Sequence, residues 1–152
     1  LGLIAGALAI PVNDHLLSLS DKALSEAIQA MMSWGHGPMG HMHDNTQPGH
    51  SFLGFGNQLM AANNQNALKN DLIACNKYKN GENSASKIQQ PALCILAEKD
   101  KMTPLKSGQQ MANALIRGQV TVIESAGHML PAEFPSEVNT ALRNFLNKTD
   151  KS

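Results

Sequence analysis

Apolar residues recur along this chain in two rhythms. Mostly apolar runs of strand length occupy Leu1–Ile10 and Ala92–Ala97, and a β-branched run occupies Val120–Ile123. Runs without alternation are the pattern of strands buried on both faces, as in a parallel sheet. The second rhythm is helical. Ser20-Asp21 offers a hydroxyl cap and a first-turn acid, and Leu24, Ala27, Ile28 and Met31 follow at helical spacing, predicting a helix to about Ser33. Segments 56–64 and 66–78 are read as helices, the second with Leu68, Leu72 and Cys75 along one face. Thr103-Pro104 predicts a hydroxyl cap with Pro at the first helical position. The helix behind it is buried through Met111, Leu115 and Ile116 and ended by Gly118. Pro135 opens the last helix, where Val138, Leu142 and Phe145 form an i, i+4, i+7 stripe.

Both rhythms stop between Gly35 and Gly56, where Gly, His, Pro and Asn dominate. That stretch is expected to be a long irregular loop, of the kind that serves as a lid or binding loop. Asn80–Ser84 is a turn-rich connector. The predicted order is strand, helical insertion, strand, helix, strand, helix. An opening strand that is apolar on both faces needs neighbours on both edges, so the chain is expected to begin in the middle of a larger fold. The division that follows is a core strand at 1–14, a helical cap or lid at 15–86, and a C-terminal core at 87–152.

Composition narrows the picture. In 152 residues, 42% are apolar, 16% are charged, and the formal net charge is zero. This describes a soluble domain with a sizeable core and without the basic footprint of a nucleic-acid binder. The opening apolar run is too short to span a bilayer and lacks the charged flank of a signal peptide. Cys75 and Cys94 have no metal-ligand spacing, and Cys94 fits a small buried hydrophobe in a reducing, cytoplasmic setting. No cofactor is expected.

The candidate chemistry lies where the two later strands end. Ala92–Ala97 runs into Glu98-Lys99-Asp100, and Val120–Ile123 runs into Ser125-Ala126-Gly127-His128. A parallel sheet carries the carboxyl ends of its strands to one edge, where an Asp and a His can meet. That pair is two thirds of a nucleophile–base–orienter triad. Asp14, just past the first strand, is an alternative acid. Gly49-His50-Ser51 begins like a nucleophile elbow, which makes Ser51 an alternative nucleophile. Leu53 stands where the elbow needs its second Gly, however, and no apolar strand precedes it. His36, His41, His43, Asp44 and His50 are residue types that bind zinc or nickel, but their spacing matches no metal signature, and no metal is predicted. Trp34, His36 and Met129 are substrate-binding candidates. The methionines Met31, Met32, Met39, Met42 and Met60 suit an adaptable apolar lining or ordinary core filling.

Three pieces in order, Ala97-Glu98-Lys99-Asp100, Gly127-His128 and Glu133-Phe134-Pro135 ahead of a helix ending in Phe145-Leu146, carry a resemblance. The chain resembles the C-terminal half of the α/β-hydrolase superfamily, in which a strand ends in a G-x-x-D turn and a Gly-His pair follows the next strand. Ala97 replaces the Gly of that turn. The resemblance implies an α/β fold of parallel strands and flanking helices with an inserted, mainly helical cap. Leu1–Ile10 would match the sixth strand of that fold, His128 the general base and Asp100 its orienter. The nucleophile would lie upstream of Leu1, on a G-x-S-x-G elbow, leaving this chain inactive alone. The implied reaction is hydrolysis of an ester or similar acyl bond in a small to medium, apolar substrate. Two readings from other classes stand beside it. One is a non-catalytic half-fold whose first strand is covered by a partner or by a second copy in a homodimer. The other is a metal-binding module built on the His-rich loop. In none of these is a nucleic-acid partner or a membrane span expected.

Overall fold

A computed structural model describes residues 1–42 and 51–149 of the chain. Strands β1 (Gly2–Ile4), β2 (Ala92–Ala97) and β3 (Gly118–Ile123) form a parallel sheet in the order β1-β2-β3. Between β1 and β2 come helices α1 (Asp14–Lys22), α2 (Leu24–Gly35), α3 (Pro38–Met42), α4 (Phe52–Ala61), α5 (Ala67–Lys77) and α6 (Gly81–Ala85). Helix α7 (Leu105–Ala114) joins β2 to β3, and α8 (Leu130–Glu133) and α9 (Pro135–Thr149) follow β3.

β2 is the middle strand, and every residue of it is buried. Its continuous apolar run is what that position demands, because each face of the strand meets a different layer. Leu93, Ile95 and Ala97 pack with Ile123, Leu130, Val138 and Phe145 on the α9 side. Ala92, Cys94 and Leu96 pack with Met111, Ala112 and Leu115 on the α7 side. A third cluster lies within the helical insertion, where Leu16, Ala27 and Leu72 draw α1, α2 and α5 together.

Several expectations are corrected. The opening strand is Gly2–Ile4 and not Leu1–Ile10, and Gly2 and Ile4 are exposed where burial on both faces was expected. The strand ends because Ala5 turns into the left-handed region, at φ 49°. The first helix starts at Asp14, with the Asn13 Oδ1 accepting from the Leu16 N–H at 2.8 Å. Ser20, the expected cap, is buried inside α1, and its hydroxyl donates to the Leu17 carbonyl. Ala23 then separates α1 from α2. The loop expected between Gly35 and Gly56 contains α3 and the start of α4, and the connector near Asn80 carries the short helix α6. On α7 the helix stops at Ala114, which leaves Leu115 buried beyond it but Ile116 63% exposed, and Gly118 opens β3. Helix α8 went unread, being too short for its periodicity to register.

Ala5 is a non-glycine residue in a conformation that costs an L-residue about 1 kcal/mol or more. Its N–H donates to the Ile95 carbonyl at 2.9 Å, so the strain is held by the sheet. Ala5→Gly is therefore expected to leave stability within about 0.5 kcal/mol of the parent, because relieved strain offsets added chain entropy. Ala97→Gly, in regular strand, should cost about 1 kcal/mol or more, and Ala5→Val about 2 kcal/mol. Urea midpoints at constant slope check this; equal losses for the two glycine variants would contradict it.

Candidate active site

Because β2 and β3 pair in step from Ala92↔Gly118 to Ala97↔Ile123, both end at the same height. The pairing runs past the strands, with the Glu98 N–H donating to the Ile123 carbonyl and the Lys99 N–H to the Ala126 carbonyl. The turn after β3 places Ser125 at φ 59°, and its N–H donates to Glu98 Oε2 at 2.9 Å. The loops that follow the two strands are thus tied side by side, and they carry Asp100 and His128.

His128 Nδ1 lies 2.9 Å from Asp100 Oδ2. The other carboxylate oxygen, Oδ1, accepts the backbone N–H groups of Met102 and Thr103, each at 2.8 Å. The Thr103 hydroxyl is a further 2.8 Å neighbour of Oδ2. The Asp100 side chain is 1% exposed and that of His128 24%, so the acid is enclosed while the imidazole reaches the surface. Burial by itself would push the Asp100 carboxyl up. The His128 hydrogen bond, then the Thr103 backbone N–H, the imidazole charge and the Thr103 hydroxyl outweigh it, and the carboxyl is held below its ordinary range. An ionised carboxylate only accepts, so Nδ1 carries the hydrogen and Nε2 is left with a free lone pair. A fixed tautomer with an open Nε2 is what a general base needs.

The end of α2 in the helical insertion is hydrogen-bonded to this loop. The Met129 N–H donates to the Gly35 carbonyl at 3.0 Å, and the Gly37 N–H donates to Glu133 Oε2 at 2.8 Å. Between these bonds Gly37 and Gly127 lie backbone to backbone, and a Cβ on either would run into the nitrogen of the other. The end of α2 is thereby fastened on both sides of His128.

The remaining candidates fall in different places. His36 is buried beside this contact, with Nδ1 2.9 Å from the Met32 carbonyl and its ring stacked on Phe52 at 6.3 Å. Met129 is exposed next to His128. Trp34 packs into the cluster of α1, α2 and α5. Asp14 is exposed at the start of α1, and it is Asp100 that bonds the imidazole. Ser51 caps α4, its Oγ accepting the Gly54 N–H at 3.1 Å. His41 Nε2 lies 2.9 Å from the Ser33 carbonyl, while His43, Asp44 and His50 lie outside the described residues. Among the described residues no group of three or more His, Cys, Asp or Glu could hold a metal ion, and no helix is long and apolar enough to cross a membrane. A cavity of about 650 Å³ between β3 and α9, lined by Thr121, Ile123, Phe134, Thr140 and Phe145 among others, includes neither Asp100 nor His128.

Two features of the site were missed in the sequence. Thr103 was expected as the cap of α7, but Pro104 holds the cap position and no side chain bonds there. The Thr103 hydroxyl is taken up by Asp100 and by the Ala5 carbonyl. Glu133 was noted only as the acid of an acid-x-Pro step, and its partner Gly37 lies 96 residues away. The one signal for it was a Gly beside a His in both segments, at Gly35-His36-Gly37 and Gly127-His128.

Residues 57–151 match the family model described as TAP-like protein. Over 56 residues the chain is 38% identical to Protein ABHD8 of Mus musculus, covering 37% of this chain and 13% of that protein. A thermophilic esterase has the same fold at a TM-score of 0.78 and 24% identity, over 98% of this chain and 57% of that one. An esterase from Exiguobacterium antarcticum gives 0.80 at 13% identity, over 96% and 57%. The chain therefore spans little more than half the length of the solved structures it matches, and at these identities they establish the fold alone.

Two outcomes are expected. A carboxyl whose folded pKa lies below its unfolded value of about 4 contributes stability that is complete above that value. The contribution is lost as the pH falls through the folded pKa. Asp100→Asn should lower stability at neutral pH by about 3 kcal/mol and flatten the acid limb of stability against pH. Urea midpoints measured from about pH 6 to about pH 2.5 test this; an unchanged acid limb would sink it. Gly127→Ala should cost about 2 kcal/mol or more, since backbone stands where the methyl must go. Hydrogen exchange at the Gly37 and Met129 amides should accelerate more than exchange in β2, and a uniform change would count against the local contact.

Proposed function

The chain belongs to the TAP-like protein family of the α/β-hydrolase superfamily, and from that premise we propose that Asp100 and His128 are the acid and base of a hydrolytic triad. The observation that carries the reading is the 2.9 Å bond between His128 Nδ1 and the enclosed Asp100 carboxylate at the carboxyl edge of the sheet. His128 Nε2 takes the proton of the nucleophile as it attacks an acyl carbon, then returns it to the leaving group. Asp100 holds the Nδ1–H tautomer and stabilises the imidazolium between those two transfers.

No G-x-S-x-G occurs in the 152 residues, so in this proposal the nucleophile comes from a part of the protein outside them. The substrate class proposed is an ester, or a similar acyl compound, of small to medium size and apolar character. Residues 15–86 are proposed as the lid over the site, docked through Gly35 and Gly37. Exposed Met129 beside the proposed base supports its assignment to the substrate side, while buried His36 is left a role in holding the end of α2. Ser51, engaged as a helix cap, is the weaker nucleophile.

The test is turnover of p-nitrophenyl acetate by the chain expressed together with the reading frame upstream of Leu1. His128→Gln is expected to lower kcat/KM by about 10³-fold or more, and Asp100→Asn by a comparable factor. Undiminished hydrolysis by a folded His128→Gln variant would falsify the assignment.

A further inference from the structure

The Thr103 hydroxyl is buried where three chain segments meet, within 2.8 Å of the Ala5 carbonyl, 2.8 Å of Asp100 Oδ2 and 3.2 Å of His128 Nδ1. It has one hydrogen to give. The Nδ1–H of His128 is already committed to Oδ2, so the Thr103 oxygen takes at most a minor share of that bond. Its own hydrogen is left with two acceptors at equal distance. The carboxylate is the stronger acceptor because it is charged. The Ala5 carbonyl is brought into reach by the left-handed turn at φ 49°, in a residue that is itself buried. A strained, non-glycine position at the end of β1 is thus aimed at the hydroxyl that touches the acid of the site, and strain of that kind gathers where geometry is over-determined.

We propose that Thr103 is a positioning residue for His128, sharing one hydroxyl hydrogen between the Ala5 carbonyl and Asp100 Oδ2 and so tying the basicity of the imidazole to the end of β1. The proposal rests on Asp100 and His128 acting as orienter and base. When the hydrogen points to Oδ2 it draws charge from the carboxylate, and the imidazolium is held less strongly. When it points to Ala5, the carboxylate is released to the imidazole and the freed Thr103 lone pair faces Nδ1–H. Removing the hydroxyl leaves Oδ2 to His128 alone.

The experiment is an NMR titration of the imidazole protons on the full chain, with His128 identified by the signal missing in His128→Gln. Thr103→Val should raise the His128 pKa by about half a unit or more and shift the Nδ1 proton further downfield. Thr103→Ser, which keeps the hydroxyl, should restore both readings. A Thr103→Val protein with native dispersion and parental values of both overturns the proposal, as does a Thr103→Ser variant displaced as far as Thr103→Val. Asp100→Asn separates this from the reading beneath it. If Asp100→Asn lowers the His128 pKa while Thr103→Val does nothing, the pair stands and the role of Thr103 falls. If Asp100→Asn leaves it unchanged, the pair itself falls. Should Thr103→Val fail to fold, the parent spectrum decides. A slowly exchanging Thr103 hydroxyl proton with through-space contacts to both Ala5 and the His128 ring is required. Exchange at the rate of an open hydroxyl overturns the proposal.

Discussion

Residues Ala92–Ala97 are buried on both faces and hydrogen-bonded along both edges, and this confinement governs what the rest of the chain can do. A strand held between two parallel neighbours has no freedom to slip, because a shift by one residue would exchange its α9-facing and α7-facing side chains. With the register held, β2 and β3 end level, and their loops leave the sheet together. Bonds from Glu98 and Lys99 to Ile123, Ser125 and Ala126 extend that alignment by several residues. The Asp100–His128 distance is therefore a consequence of the sheet more than of the loops.

Electrostatics then favours one protonation arrangement. Enclosing Asp100 would by itself favour its neutral form, and the donors around it reverse that preference. Two backbone N–H groups fix Oδ1 and leave Oδ2 to the imidazole and the Thr103 hydroxyl. The carboxylate is held by backbone N–H groups of the turn that leads into α7, and the imidazole is held by the carboxylate. The imidazole is thus oriented by backbone at one remove.

The helical insertion is attached to this rigid edge through a small contact. Gly35 and Gly37 bond to Met129 and Glu133 just after His128, and the absence of Cβ atoms at Gly37 and Gly127 is what lets the two backbones touch just before it. Displacing the end of α2 would disturb the loop that carries His128, which couples the insertion to the candidate base mechanically.

Much of this was legible in the amino-acid order. The apolar run at 92–97 and the β-branched run at 120–123 announce strands through strand length and β-branched content, and Asp100 and His128 stand out because each follows such a run. Pro135 and the stripe through Phe145 likewise declare α9. The opening run misled because apolar composition does not distinguish a strand from a half-buried turn, and the left-handed Ala5 leaves no trace in composition. Thr103 misled for a related reason. Thr before Pro has the local pattern of a helix cap, but its hydroxyl turns back to Asp100 Oδ2 and across to the Ala5 carbonyl, 98 residues away. The order of residues alone was enough for β2, β3, the last helix and the positions of Asp100 and His128, since those follow from periodicity and from what stands next along the chain. Only packing in three dimensions brings the Ala5 carbonyl to the Thr103 hydroxyl, Gly37 against Gly127, and the end of α2 onto Met129 and Glu133. Those contacts join residues nearly a hundred positions apart, and no local pattern encodes them.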